Sequence, residues 1–168
     1  MPRPDAKPNY RAWLRMLAVT RMIEKRIAAQ LRGEFRSTLP RFEVLAALDG
    51  QQESMSMVEL ARSLYVSKGN VTGPVASLVS AGLAASARDE RDRRAQRISL
   101  TRDGETRLRA MISCQEQLVG ALFAGLTRQE IETLSGITAK MYRSLEAGRA
   151  DLAGRSAAAA TPCGFGHC

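Results

Sequence analysis

The sequence predicts a mainly α-helical chain with one small β wing: a winged helix-turn-helix set between N- and C-terminal dimerisation helices. Three observations predict it. Two short helical stretches separated by about three residues stand in mid-chain, the spacing of a helix-turn-helix. Two short strand-like segments joined by a charged tip follow them. Long amphipathic helical patterns lie on both sides.

The elements follow in order. Tyr10 to Leu31 contains no Pro and repeats Leu14, Leu17, Ala18, Met22, Ile23, Ile27 and Leu31 at helical spacing, with Arg11, Arg15, Arg21, Lys25, Arg26 and Arg32 between them. Gly33 is the expected stop. Thr38–Leu48 reads as a second helix ended by Asp49-Gly50. Ser56 and Glu59 have the spacing of a capping box and open a short helix through Leu64. Ser67 is placed to cap the next helix, which runs to about Ala81 before Gly82. Pro74 falls inside that helix, where it removes an N–H and costs up to about 3 kcal/mol, so a local bend is expected after Gly73. Leu83–Arg88 and Gln96–Leu100 form the hairpin. Thr101 starts a long helix with Leu108, Met111, Ile112, Leu118, Val119, Leu122 and Phe123 apolar, ended by Gly125. Thr127 and Glu130 form a second capping box before a stripe of Ile131, Leu134, Thr138, Met141 and Leu145. From Gly148 the chain reads as a frayed tail.

Composition excludes several function classes. The chain has 168 residues, 45% hydrophobic and 25% charged, an ordinary globular balance. Aromatics are 5%, too few for a platform that stacks single-stranded bases. No apolar run approaches a membrane span, and the N-terminus lacks the apolar stretch of a secretory signal, so a cytoplasmic location without membrane partners is expected. Three Cys, two of them near the end, imply no disulfide framework. The single His, His167, leaves no Ser-His-Asp triad and no multi-His metal centre. With no Gly-rich phosphate loop and no acid pair, no catalytic residues, cofactor or metal are expected. The formal charge is +8. Residues 1–41 carry ten Lys/Arg against three Asp/Glu, a balance of +7, and residues 42–168 carry 15 against 14. A basic excess of this kind attracts polyanions, nucleic acid first among them.

Residues 10–147 resemble the MarR family of winged-helix transcriptional regulators. The resemblance rests on several pieces in order: Leu39-Pro40-Arg41-Phe42-Glu43-Val44-Leu45, Glu59-Leu60-Ala61, Val66-Ser67 with Asn70-Val71-Thr72-Gly73, Ala81-Gly82-Leu83, and then Arg88, Asp92-Arg93-Arg94, Ile98-Ser99-Leu100-Thr101 and Gly104. It implies residues 1–36 as an N-terminal dimerisation helix, 37–104 as the DNA-binding domain, 105–147 as C-terminal dimerisation helices and 148–168 as a flexible tail. It also implies a homodimer on a palindromic operator of double-stranded DNA, with repression the expected effect.

Helix position places Ser67, Lys68, Asn70, Thr72 and Ser77 against DNA. Asn pairs bidentately with adenine, the Thr methyl meets a thymine methyl, and Ser67 and Ser77 suit phosphates. Arg91, Arg93 and Arg94 at the hairpin tip suit a narrow minor groove. By resemblance Arg94 is the minor-groove residue and Asp92 the carboxylate that orients it. For a small anionic effector, an aromatic acid or its CoA thioester, Arg11, Arg15 and Arg36 supply charge, and Tyr10 and Trp13 supply aromatic wall. The resemblance places such regulators near aromatic catabolism. The alternative is a thiol- or metal-sensing regulator of the same fold that uses Cys114 or the tail set Cys163, His167 and Cys168. Cys114 itself reads as buried and structural.

Overall fold

A computed structural model describes residues 7–50, 54–89 and 96–158, with side chains described through residue 148. In chain order these form α1 (Pro8–Phe35), α2 (Leu39–Asp49), β1 (Met55–Ser56), α3 (Met57–Ser63), α4 (Lys68–Ser80), β2 (Ala84–Arg88), β3 (Gln96–Leu100), α5 (Arg102–Phe123) and α6 (Arg128–Ala158). They divide into two compact units between Leu122 and Phe123.

The first unit has one core. Val44, Leu45 and Leu48 of α2 meet Leu60 of α3, Val71, Val75 and Leu78 of α4, Ile98 of β3, and Leu108 and Met111 of α5. Leu31 closes it from α1. Burying each such side chain is worth about 1.5–3 kcal/mol. The 3- and 4-residue steps of these positions fix which face of each helix turns inward. The sheet is antiparallel in the order β1-β3-β2, with Ala84 opposite Leu100 and Arg88 opposite Gln96.

Several expectations are corrected. Gly33 does not end α1. The helix continues to Phe35, and the turn falls at Arg36, which adopts a left-handed φ of 47°. Buried Ser37 sets that end, its N–H bonding the Leu31 carbonyl at 3.0 Å. The wing has a third strand, β1, whose Met55 pairs with Ile98. Ser67 stands at the N-cap of α4 but makes no side-chain capping bond. Pro74 stands inside α4, which is helical from Lys68 to Ser80, an assignment compatible with the bend expected after Gly73. Gly148 does not end α6, whose backbone is helical to Ala158.

The capping box at Ser56 is present. Ser56 N–H donates to Glu59 Oε2 at 2.7 Å, and Glu59 N–H donates to Ser56 Oγ at 3.2 Å. In the second unit, Thr127 N–H donates to Glu130 Oε2 at 2.8 Å, and Glu130 N–H donates to Thr127 Oγ1 at 3.3 Å. On α6 the side chains of Ile131, Leu134, Ile137, Met141, Tyr142 and Leu145 are exposed in the single chain. Among the described residues no helix is long and apolar enough to cross a membrane.

One joint fixes the end of α4 to the wing and to α5. Gly82 turns with φ 70°, and Leu83 N–H bonds the Leu78 carbonyl at 3.0 Å. Thr101 Oγ1 donates to the Gly82 carbonyl at 2.8 Å and accepts from Gly104 N–H at 3.0 Å. Gly104 then lies so close that a methyl on it would overlap the Leu83 carbonyl oxygen. The clash is with backbone, which has no rotamer to yield. Gly104→Ala is therefore expected to cost about 2 kcal/mol or more. In a thermal melt this lowers Tm by more than about 5 °C. An unchanged melt would show that the joint yields freely.

Candidate nucleic-acid interface

The face that α4 offers to solvent follows from the face it buries. Val71, Val75 and Leu78 point into the core. At 100° per residue, Gly69, Gly73, Ala76 and Ser80 form the opposite ridge, all of them exposed. Lys68 and Thr72 lie on one flank of that ridge, and Asn70 and Ser77 on the other. All four are exposed, as is Ser67 at the start. The outermost ridge is thus built of the smallest side chains, which permits close approach of a second surface. Sequence reasoning picked out the flanks and missed the ridge, although the same helical wheel contains it. The Thr72 hydroxyl donates to the Lys68 carbonyl at 3.0 Å, which leaves its methyl as the group without a polar commitment.

The turn before α4 is unusual. Tyr65 adopts a φ of 57°, a left-handed conformation that costs a non-glycine residue about 1 kcal/mol or more. Val66 N–H bonds the Ala61 carbonyl at 3.0 Å and holds the turn closed.

Arg97 anchors the base of the wing. Its Nη1 lies 3.0 Å from Glu59 Oε2, its Nε donates to Ser54 Oγ at 3.2 Å, and its Nη2 donates to the Ser54 carbonyl. Asp89 Oδ2 lies 4.0 Å from Nε. One guanidinium thus ties β3 to the segment before β1, to the first turn of α3 and to the end of β2. Glu59 is held below the usual carboxylate range, first by the Ser56 N–H, then by the Ser56 hydroxyl, with Arg97 adding to it. Sequence reasoning did not single out Arg97. The wing-tip residues Arg91, Asp92, Arg93 and Arg94 lie outside the described residues, as do Cys163, His167 and Cys168.

The expected effector residues lie along and just beyond α1. The Tyr10 and Trp13 rings are 5.4 Å apart at 43°, and both are about half exposed. Arg11 is partly buried, while Arg15 and Arg36 are exposed. None of them lines a broad cavity of about 480 Å³ in the same unit. That cavity is walled by Arg41 of α2, by Ala81 and Leu83 beyond α4, and by Asp103, Thr106, Arg107 and Ala110 of α5. Arg107 Nη2 donates to the Phe35 carbonyl at 2.6 Å, and its guanidinium stands 5.1 Å over the Phe35 ring. Arg41 Nε is buried and has no partner among the described residues. Such a donor costs about 1–3 kcal/mol until an acceptor reaches it. Two guanidinium groups against the one carboxylate of Asp103, on a mainly apolar wall, suit an anion with an apolar body.

Cys114 is only partly buried, contrary to expectation. Its thiol donates to Glu34 Oε2 at 2.8 Å, and Gln30 Nε2 donates to its Sγ at 2.8 Å. The Glu34 carboxylate pushes the thiol pKa upward, because the hydrogen bond requires the proton. That is the reverse of the electropositive setting of a reactive cysteine.

Residues 38–95 match the model of the MarR family. No curated protein matches the chain. Among solved structures, the transcriptional regulator BldR of Sulfolobus solfataricus is similar at 24% identity and a TM-score of 0.72, over 85% of this chain and 99% of that one. A structure of BpsR of Bordetella bronchiseptica, whose DNA binding is regulated by 6-hydroxynicotinic acid, is similar at 27% identity and 0.65, over 76% and 98%. A complex of MepR of S. aureus with DNA is similar at 21% identity and 0.68, over 83% and 99%.

Two predictions follow from the site. On the same ridge, a methyl on Gly69 would meet only Ser67 Oγ at 3.8 Å, so Gly69→Ala is expected to stabilise the fold by about 0.5–1 kcal/mol. If the small ridge lies against DNA, the same change weakens DNA binding several-fold. A variant that melts higher and binds DNA unchanged would remove the ridge from the interface. For the thiol, alkylation of Cys114 by iodoacetamide at pH 8 is expected to be slower than that of free cysteine, and Glu34→Gln to speed it several-fold. Fast alkylation of the unaltered protein would contradict the assigned hydrogen bond.

Proposed function

We propose that this chain, whose residues 38–95 match the model of the MarR family, is a MarR-type homodimeric repressor that leaves a palindromic operator when a small anionic ligand binds. The observation that carries the reading is the pairing of α4, with its small outer ridge and polar flanks, with a wing anchored through Arg97 in a chain of charge +8. In this reading residues 37–104 meet DNA. Asn70 and Thr72 read base edges, and Ser67, Lys68 and Ser77 hold phosphates. Arg91, Arg93 and Arg94 enter the minor groove, with Asp92 orienting Arg94. The similarity to BpsR and to the DNA-bound MepR supports the assignment in kind.

Residues 1–36 and 105–147 form the dimer in this reading. Its support is the apolar surface that each terminal helix exposes in the single chain: Tyr10, Trp13, Met16, Val19 and Met22 on α1, and the stripe from Ile131 to Leu145 on α6. For the effector, the cavity of Arg41 and Arg107 is a better seat than the exposed arginines of α1. Its volume lies within the range of small-molecule pockets. An aromatic carboxylate would pair with the guanidinium groups of Arg41 and Arg107 and rest its ring on Leu83 and Ala110. A charge-assisted hydrogen bond of this kind is worth about 1.5–3 kcal/mol.

The test is a fluorescence-anisotropy titration with DNA from the promoter region beside the gene. Binding is expected to weaken steeply with salt as phosphates are neutralised. Benzoate or salicylate is expected to release the DNA. Arg41→Gln should raise the half-release concentration about tenfold or more while DNA affinity stays within about twofold. Salt-independent binding would overturn the DNA reading. Unaltered release by the variant would move the effector elsewhere.

A further inference from the structure

Pro74 stands in the middle of the helix assigned to DNA, and nothing in DNA reading requires it. Having no N–H, it offers no helical donor to the carbonyl of Asn70, four residues earlier. Asn70 and Pro74 lie on the same flank of α4, and both line a second cavity of about 250 Å³. Glu43 of α2 lines its other side, and Leu64 and Val66 of the α3–α4 turn complete it. The strained Tyr65 sits between those two turn residues.

The one charged wall residue of this cavity, Glu43, is acidic. Asn70 adds a side-chain amide, which both donates and accepts, and a backbone carbonyl that lacks the Pro74 N–H. Among the described residues no basic side chain forms an ion pair with Glu43. The Glu43 carboxyl is pushed above the usual range, first by desolvation of its packed side and then by the charge of Glu24. A cation beside Glu43 would relieve both effects. An anion would meet a carboxylate here with no basic wall residue to offset it, whereas the cavity of Arg41 and Arg107 sets two guanidinium groups against the one carboxylate of Asp103. The remaining walls are apolar, and the volume accommodates one ring rather than a drug-sized molecule.

We propose that this cavity is a second regulatory site, which takes a compact organic cation, an amine or amidine on an apolar ring, and shares its N–H groups between the Glu43 carboxylate and the Asn70 carbonyl. Such a ligand touches α2, the turn and α4 at once. It also shares Asn70 with the DNA-facing flank of α4, so occupancy alters how that residue is presented. The site would give the regulator an input of opposite charge to its anionic effector.

The experiment uses ¹⁵N-labelled full-length protein without DNA, benzamidine as the probe and benzoate as the control. Benzamidine is expected to shift the amides of residues 64–74 saturably, and benzoate to leave them unmoved. Glu43→Gln should weaken benzamidine about tenfold. Pro74→Ala supplies the missing N–H to the Asn70 carbonyl, so it should weaken the probe several-fold while raising Tm. That opposition separates loss of a ligand contact from damage to the fold. Absence of a saturable shift at millimolar benzamidine, equal affinity in Glu43→Gln, or shifts confined to other residues would overturn the proposal. Because no DNA is present, failure here leaves the operator reading standing, and failure of operator binding leaves this result standing.

Discussion

Gly104 brings its bare α-carbon against the Leu83 carbonyl, and the aim of the winged unit depends on that contact. The contact would mean little alone. Thr101 makes it directional, because one hydroxyl donates to Gly82 and accepts from Gly104. Residues 82–83 lead out of α4 into β2, and residues 101–104 lead out of β3 into α5. The joint therefore sets the angle among the helix proposed to face DNA, the hairpin beside it and the helix that carries both. Leu108 and Met111 of α5 extend the same registration into the core.

Arg97 does at the other side of the sheet what Thr101 does at the joint. The Glu59 carboxylate accepts from the Ser56 N–H and from Arg97, so a single side chain caps α3 and pins β3. Each bond is exposed enough to be modest in energy. Their value is geometric: they leave the hairpin few ways to pivot relative to the helix-turn-helix. An arginine at a wing tip loses less freedom on entering a minor groove when the strands beneath it are already fixed.

The fold was legible where local chemistry decides it. Ser56 and Glu59, Thr127 and Glu130, and Gly82 each act through bonds within a few residues, and periodicity marks the side of α5 that Leu108 and Met111 turn to the core. The failures occur where a distant partner decides. Gly33 permits a helix end but does not impose one; the end of α1 is imposed by the burial of Ser37 and its bond to Leu31. Two residues are too short for β1 to show a period, and only Ile98 and Arg97 make them a strand. Glu34 lies 80 residues from Cys114, so no reading of the neighbours of Cys114 reveals the acid that holds its proton. Arg41 was visible only as part of a helix motif, because its cavity is assembled from α2, the end of α4 and the start of α5. The outer ridge of α4 was legible and was passed over, since attention to polar side chains ignores positions where absence of a side chain is the feature.

The two cavities lie along one seam. The α2–α4 packing of Val44, Leu45 and Leu48 against Val71, Val75 and Leu78 holds α4 in place. Arg41 of α2 lines one cavity, and Pro40, Glu43 and Val44 line the other. A ligand shifts an equilibrium only by the difference in its affinity for the two states. One charge-assisted hydrogen bond made in a single arrangement of the seam, about 1.5–3 kcal/mol, shifts that equilibrium by tenfold or more. No large movement is needed for this. The ridge of Gly69, Gly73 and Ala76 has no long side chains to absorb a misplacement, so a small change of tilt in α4 alters its fit to a groove along its whole length. The small ridge that permits close approach is therefore also what makes the helix sensitive to the side chains behind it.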